Sequence, residues 1–261
     1  MAWQIVKHAF AMIFNNFGQA VKVSVIPFVI LMAVAALLLA VAGLPWDLMR
    51  REFDVDDMPQ FSGLAVLLII ALVVFAFFTF GWIAVSWHRF ILREEYTALI
   101  PAVSGRPIWG YVGKSILLGL LLSLIAIPVS MLLGLLFFPL MGASAEPGIF
   151  AFIFALVLGS ILGFLWFRWA ISLPAKAVGE DMTFSTAWAT TAPLAGIIFQ
   201  VTLITVALNL AASFLLAFAL NEIPAVSLVL ELAVNWLSTM IGISVLTTLY
   251  GHLVEGRPLA A

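Results

Sequence analysis

Cysteine is absent from this chain, and charge is scarce. Without a thiol there is no disulfide framework, no thiolate metal site and no cysteine nucleophile. Only 9% of residues are charged, where a water-soluble domain carries about a quarter. Net charge is −2 with no basic block, so nucleic acid is not expected as a partner. Histidine is limited to His8, His88 and His252, and no carboxylate–histidine spacing marks a metal site. No metal or cofactor is expected. Alternating strands of the barrel type are missing as well. What fills the chain is apolar side chain: 65% of 261 residues are hydrophobic, and mean hydropathy is +1.22. The expectation is one integral membrane domain over residues 1–261, all-α and polytopic.

A helix needs about 20 apolar residues to cross the hydrocarbon core. Six runs qualify, at roughly 21–44, 62–87, 113–140, 148–172, 192–220 and 224–249. Helices are expected because each backbone group at that depth must bond within its own segment. "AVA" at Ala40 to Ala42 resembles a cleavage site, but the apolar run before it is too long for a signal peptide, so no cleaved segment is expected. Lys7, Lys22, Arg89, Arg93, Arg106, Lys114, Arg168, Lys176 and Arg257 would share one side, against Arg50 and Arg51 on the other. That imbalance predicts both termini in the cytoplasm. The first outer loop holds Asp47, Glu52, Asp54, Asp56 and Asp57. It lacks the glycine and terminal glutamate of an EF-hand loop and reads as a solvated acidic loop.

The chain repeats itself. Trp87-His88-Arg89-Phe90 and Trp166-Phe167-Arg168-Trp169 both read W-x-R-aromatic, each where a span ends on the basic side, and Tyr250 and His252 echo them. "VSGRP" at Val103 to Pro107 recurs as "VEGRP" at Val254 to Pro258. In both, glycine takes a left-handed cap and proline prevents continuation, so each is expected to end a helix. Each pair of spans follows an interfacial segment: Ala2 to Gln19, His88 to Gly105, and Pro174 to Thr191. The first puts Trp3, Val6, Phe10, Ile13, Phe14 and Phe17 on one helical face and is expected to lie in the interface plane. The architecture predicted is three elbow-helix-plus-hairpin units, related by an axis along the membrane normal.

Arg168, Pro174, Ala175, Glu180, Ala187 and Trp188, within "RWAISLPAKAVGEDMTFSTAW", resemble a segment of a broad group of bacterial six-helix membrane proteins. That group includes the membrane region of some glycerophosphoryl diester phosphodiesterases and many proteins of unknown function. The resemblance implies a six-helix scaffold concerned with lipid or envelope homeostasis. It does not imply the phosphodiesterase activity, because no soluble domain accompanies the spans.

The last hairpin carries a polar ladder. Counting outward from Glu222, Ser213 opposes Glu231, Asn209 opposes Asn235, and Thr205 opposes Thr239. Each trio is spaced by four and shares a helix face. Two polar stripes could therefore meet across the hairpin. Asn, Ser and Thr at such sites serve as interhelical glue, about 0.6 kcal/mol each. Glu231 is the costly member and the candidate proton or cation site. Arg89, Arg93, Arg168 and Lys176, beside Trp87, Trp166 and Trp169, are equally suited to plain anchoring and to lipid-phosphate contact.

Small residues at four-residue spacing, Gly159 with Gly163, Gly119 with Ser123 and Ser130 with Gly134, suit close helix packing within the bundle or between copies. Pro128 and Pro139 are expected to shape the third span.

Catalytic motifs fail on inspection. "GYVGKS" at Gly110 to Ser115 has Ile108 where a P-loop needs glycine, and no strand precedes it. "REE" at Arg93 to Glu95 lacks the arginine and histidine of an intramembrane glutamate protease, and "VSG" at Val103 to Gly105 has no histidine base at hand. The expected function is a non-enzymatic scaffold or accessory protein in contact with membrane phospholipid and a partner membrane protein. The alternative is a small transporter or channel built on Glu231, Asn235 and Asn209.

Overall fold

The structure, a computed structural model, describes residues 1–44, 61–137, 147–219 and 224–259. Among them every regular element is helical: α1 (Ala2–Asn15), α2 (Phe17–Val41), α3 (Gly63–Arg93), α4 (Ile108–Phe137), α5 (Pro147–Ala170), α6 (Ser172–Val178), α7 (Phe184–Thr191), a 3₁₀ turn (Ala192–Leu194), α8 (Ala195–Ala219) and α9 (Pro224–Leu253). Six of the helices are long and apolar enough to span a bilayer. The spans are the predicted ones with shifted ends. Pro139 and the first outer loop fall outside the described residues.

The helices pack in chain order. α2 lies on α3, α3 on α4, α4 on α5, α5 on α8, and α8 on α9, while α1 packs beneath α8 and α9, and α6 beneath α3. Lipid tails are as apolar as leucine, so the sequence needs close backbone approach and internal hydrogen bonds to hold such a ring together. Gly159 and Gly163 supply the approach. A Cβ on Gly163 would lie 2.8 Å from Thr202 Cγ2, and one on Gly159 would lie 3.3 Å from Val206 Cγ1. The GxxxG pair is thus a notch on α5 that receives α8. A Cβ on Gly119 or Gly134 would meet nothing within 4 Å, so neither glycine makes such a contact.

Burial concentrates at one end of the bundle, here the elbow end. Trp87, Leu118, Ile171, Leu173, Ile198, Met240 and Leu249 are fully buried there. Toward the opposite end, α2 and α3 hold a smaller cluster of Leu31, Ala35 and Leu72.

The elbows differ from the expected repeat. α1 is the predicted amphipathic helix, but its apolar side is spent on protein: Ile5, Val6, Ala9 and Ile13 are fully buried against the bundle, while Trp3 and Phe14 stay exposed. The third elbow is two short helices, α6 closed by left-handed Gly179 and α7 opened by Thr183, whose hydroxyl accepts from Thr186 N at 3.1 Å. The middle elbow, expected to be helical, is not a helix. α3 ends at Arg93 with Glu94 in the left-handed region (φ 54°), and no helix forms before Ile108. Pro101 and Pro107 hold the residues before them away from helical geometry. Of the two glycine turns, Gly256 (φ 66°) follows the end of α9 as predicted. Gly105 (φ 71°) instead turns the chain into α4, well after α3 has stopped.

Candidate functional site

The polar ladder exists as two stripes that do not join. Thr205 donates to Val201 O at 2.8 Å, Asn209 Nδ2 to Thr205 O at 2.9 Å, and Thr239 to Asn235 O at 2.8 Å, each within its own helix. Asn209, Ser213, Glu231, Asn235 and Thr239 are all exposed. No hydrogen bond links Ser213 to Glu231 or Asn209 to Asn235 among the described residues. Among the described residues the two stripes therefore do not meet. The reason is where each helix is pulled. α8 turns Thr202 and Val206 into the glycine notch of α5. α9 is drawn to α3 by Trp87 Nε1, which donates to Ser244 Oγ at 2.9 Å, and by His88, whose Nδ1 lies 2.8 Å from Thr247 Oγ1. Among the described residues, α8 and α9 are consequently the least closely packed of the three hairpins.

Instead of facing α8, Asn235 and Thr239 line a crevice of about 570 Å³ between α9, α2 and α3. Its walls are Val25, Phe28, Phe80, Ile83, Leu232, Ala233 and Met240. This is the seam between the first and last helices of the ring. Trp236 crosses it, donating from Nε1 to Ser24 Oγ at 2.7 Å and meeting Phe17 edge-on at 6.0 Å between centroids. Ser24 passes its own proton to Ala20 O at 2.5 Å. Trp236, Ser24 and Thr239 are thereby satisfied, and the Asn235 carboxamide is the polar group of the seam left without a partner among the described residues. Glu231 stands one turn away on the same stripe, also without an ion pair or hydrogen bond among the described residues.

The basic and aromatic set at the elbow end is mostly committed to the fold. Trp87 is fully buried and Arg168 is 5% exposed, so neither offers its polar group to a lipid surface. Arg168 donates from Nε to Thr191 Oγ1 and from Nη2 to Trp188 O, both at 2.6 Å, and its guanidinium lies 3.8 Å from the Trp188 ring centre. The Trp169 ring lies tilted against Trp188 with centres 5.4 Å apart, and Trp166 is half-buried beside the core. Arg89 holds Glu95 with a fork, Nε to Oε2 at 3.0 Å and Nη2 to Oε1 at 2.5 Å, and sends Nη1 to Ala177 O at 3.0 Å. Arg106 closes on the same carboxylate from the far side of the middle elbow. Lys176 pairs with Asp181 at 2.7 Å and Arg93 with Glu180 at 3.9 Å. Of the four cations named from sequence as headgroup contacts, only Arg93 is exposed. Arg257 caps the end of α3 by donating to Ile91 O and Leu92 O, a favourable place for a cation.

The motif behind the family resemblance forms one unit. Arg168 reaches across to Trp188, Ala187 beside Trp188 is fully buried, Pro174 and Ala175 belong to the buried turn of α6, and Glu180 N closes that turn on Ala175 O at 2.9 Å. What these residues do together is fold the third elbow.

The Arg89–Glu95–Arg106 set gives a pH prediction. The hydrogen bond from Arg89, assisted by Arg106, holds the Glu95 carboxyl below its ordinary value of 4.5. A carboxyl lowered by folding contributes its stability above its unfolded value and loses it as pH falls through the folded one. The contribution of this partly exposed pair is about 1 kcal/mol after solvent screening. Thermal midpoints measured from pH 7 to pH 3 should therefore fall further for the wild type than for Glu95→Gln, and parallel curves would contradict the assignment.

The histidines do not form one site. His88 is buried between Thr247 and Tyr111. Thr247 spends its proton on Ile243 O, so it accepts from His88 Nδ1–H, which leaves Nε2 to accept from the Tyr111 hydroxyl at 3.3 Å. His8 and His252 line a separate cavity of about 270 Å³. Burial lowers the pKa of His8 from 6.5. His252 faces Arg257 O at 2.9 Å, so its Nδ1 donates. Among the described residues no group of three metal-binding side chains forms.

Sequence reasoning missed the seam, the Glu95 clasp and the His88 triad. Two advance signals existed: the polar stripe that put Asn235 and Thr239 on one face of the last span, and the W-x-R-aromatic repeat, which marked the end of α3 where the Glu95 clasp and the His88 triad sit. Comparison of the chain with protein-family models, curated proteins and solved structures finds no match.

Proposed function

We propose that this chain is a non-enzymatic scaffold or accessory protein of a bacterial inner membrane, with both termini cytoplasmic, working against membrane phospholipid and a partner membrane protein. The observation that carries this reading is how the elbow end spends its polar groups. Trp87, His88, Arg168, Arg89 and Arg257 bond to protein, closing the bundle from below with α1. Around that closed floor, Trp3, Phe14, Phe17, Tyr96, Leu99 and Trp109 are exposed, beside exposed Lys7 and Arg93. Aromatic and basic side chains in one collar suit a headgroup layer. The family resemblance at Arg168 to Trp188 is consistent with an envelope role.

A transporter is the second reading, favoured by Glu231 and Asn235, which stand exposed on a spanning helix without partners among the described residues. Groups of this kind in a membrane mark ion or proton paths by default. Flux separates the two. Purified protein in liposomes carrying a pH-sensitive dye should show no proton leak above empty vesicles under an imposed potential, with Glu231→Gln indistinguishable from wild type. A potential-driven leak that Glu231→Gln abolishes would overturn the scaffold reading in favour of transport.

A further inference from the structure

We propose that the α2–α9 seam is a binding site for one amphipathic lipid with an amine-bearing headgroup, its chain in the crevice and its polar linkage on Asn235. The site deepens the lipid-contact reading above and rests on the chain being a lipid-associated membrane protein.

Four observations converge. The first is size. A crevice of about 570 Å³ lies within the range of roughly 300–1,000 Å³ typical of small-ligand sites between helices.

The second is lining. Phe28, Phe80, Ile83, Leu232 and Met240 offer an apolar wall, and all belong to spanning helices, where the surrounding solvent is lipid chain. The third is the unspent polar group of the seam. Asn235 has no hydrogen-bond partner for its side chain among the described residues, whereas its neighbours Trp236, Ser24 and Thr239 are satisfied. It lies about 16 Å along α9 from Pro224 at 1.5 Å per residue. At that depth an unpaired carboxamide is costly, and an ester, amide or hydroxyl of a lipid would satisfy it.

The fourth is charge. Glu231 stands one turn farther along the same face toward the hairpin-loop end, exposed and without an ion pair among the described residues. A headgroup leaving the crevice in that direction meets a carboxylate. An ammonium is complementary to it, and a headgroup of purely negative charge is not.

Native mass spectrometry of the full chain released from nanodiscs of equimolar phosphatidylethanolamine and phosphatidylglycerol tests this. The wild type should retain one phosphatidylethanolamine per chain in preference to phosphatidylglycerol. Asn235→Leu, close in volume and expected to fold, should lower that retention about threefold to tenfold, the effect of one hydrogen bond. Ala233→Trp should fill the crevice and remove it. Glu231→Gln should keep a bound lipid but lose the preference for the amine.

Retention of no defined lipid by the wild type, or retention unchanged in both Asn235→Leu and Ala233→Trp, would overturn the site. Equal retention of the two lipids by the wild type would overturn the amine assignment. These outcomes are separable from the liposome experiment: a Glu231-dependent proton leak removes the scaffold reading and leaves the bound lipid in place, while absence of lipid removes the site and leaves the flux result standing.

Discussion

Arg168→Met should lower the stability of the folded protein by about 3 kcal/mol, read as a thermal midpoint in mild detergent roughly 6–12 °C below wild type. Methionine preserves much of the stem volume, so the loss isolates the guanidinium. That group makes two hydrogen bonds at 2.6 Å, to Thr191 Oγ1 and Trp188 O, and sits 3.8 Å from the Trp188 ring centre. A hydrogen bond to a charged group contributes about 1.5–3 kcal/mol, and a desolvated cation–aromatic contact about 2. Against this stands the desolvation of a cation that is 5% exposed with no carboxylate on it among the described residues, which removal of the charge recovers. Thr191 stays partly satisfied by donating to Ala187 O at 2.8 Å, which also limits the loss. Arg168→Lys should recover less than half of the difference, because a point charge cannot span both acceptors and lie flat on an indole. A midpoint within about 1 °C of wild type in Arg168→Met would mean that α7 is held by packing alone.

Trp87→Ala should cost a similar amount, about 3–4 kcal/mol, within the range for emptying a large buried aromatic site. In a membrane bundle the loss does not come from transfer to water. It comes from the dispersion contacts that an unfilled space forfeits and from the Ser244 hydroxyl losing its donor. Trp87 is fully buried, packs on Phe90 with ring centres 5.5 Å apart, and ties α3 to α9 through its indole N–H. Trp87→Phe separates the two terms: it keeps most of the packing and loses the one bond, about 1 kcal/mol. Denaturation followed by size-exclusion and intrinsic fluorescence distinguishes them. If Trp87→Phe were as damaging as Trp87→Ala, the hydrogen bond rather than the packing would be what joins the helices.

The spans were readable because each is a long run whose only requirement is apolarity, and a helix in lipid satisfies its own backbone. The GxxxG pair was readable as close packing, since glycine at that spacing has few other uses in a membrane helix. Its partner was not, because α8 carries Thr202 and Val206 with no mark that they face α5. The polar ladder shows the opposite case. Spacing by four puts each trio along one face of its own helix, yet contact between the stripes depends on helix rotation, which other helices set. The middle elbow was missed for a local reason: Pro101, Pro107 and the pull of Arg89 and Arg106 on Glu95 outweigh helical propensity in "LREEYTALI".

The Arg168-to-Trp188 segment is legible along the chain as a pattern, but what holds it together is not. Arg168 and Trp188 are twenty residues apart, and nothing in the chain says that a guanidinium lies on that indole. The same holds for Trp236 and Ser24, which are 212 residues apart.

By itself the sequence determined a membrane-spanning all-α chain, the number and place of its spans, the basic elbow end and the absence of thiol chemistry. These follow from composition and one-dimensional period, which the bilayer reads directly as solvent. Only the tertiary structure decided that the ring has a seam between α2 and α9, that Asn235 is left unpaired on it among the described residues, and that Arg89, Arg106, Arg168 and Arg257 are spent on protein partners. Those depend on how each helix is turned about its own axis. That rotation is chosen by the sum of many weak contacts with distant neighbours, and it leaves no periodic trace along the chain.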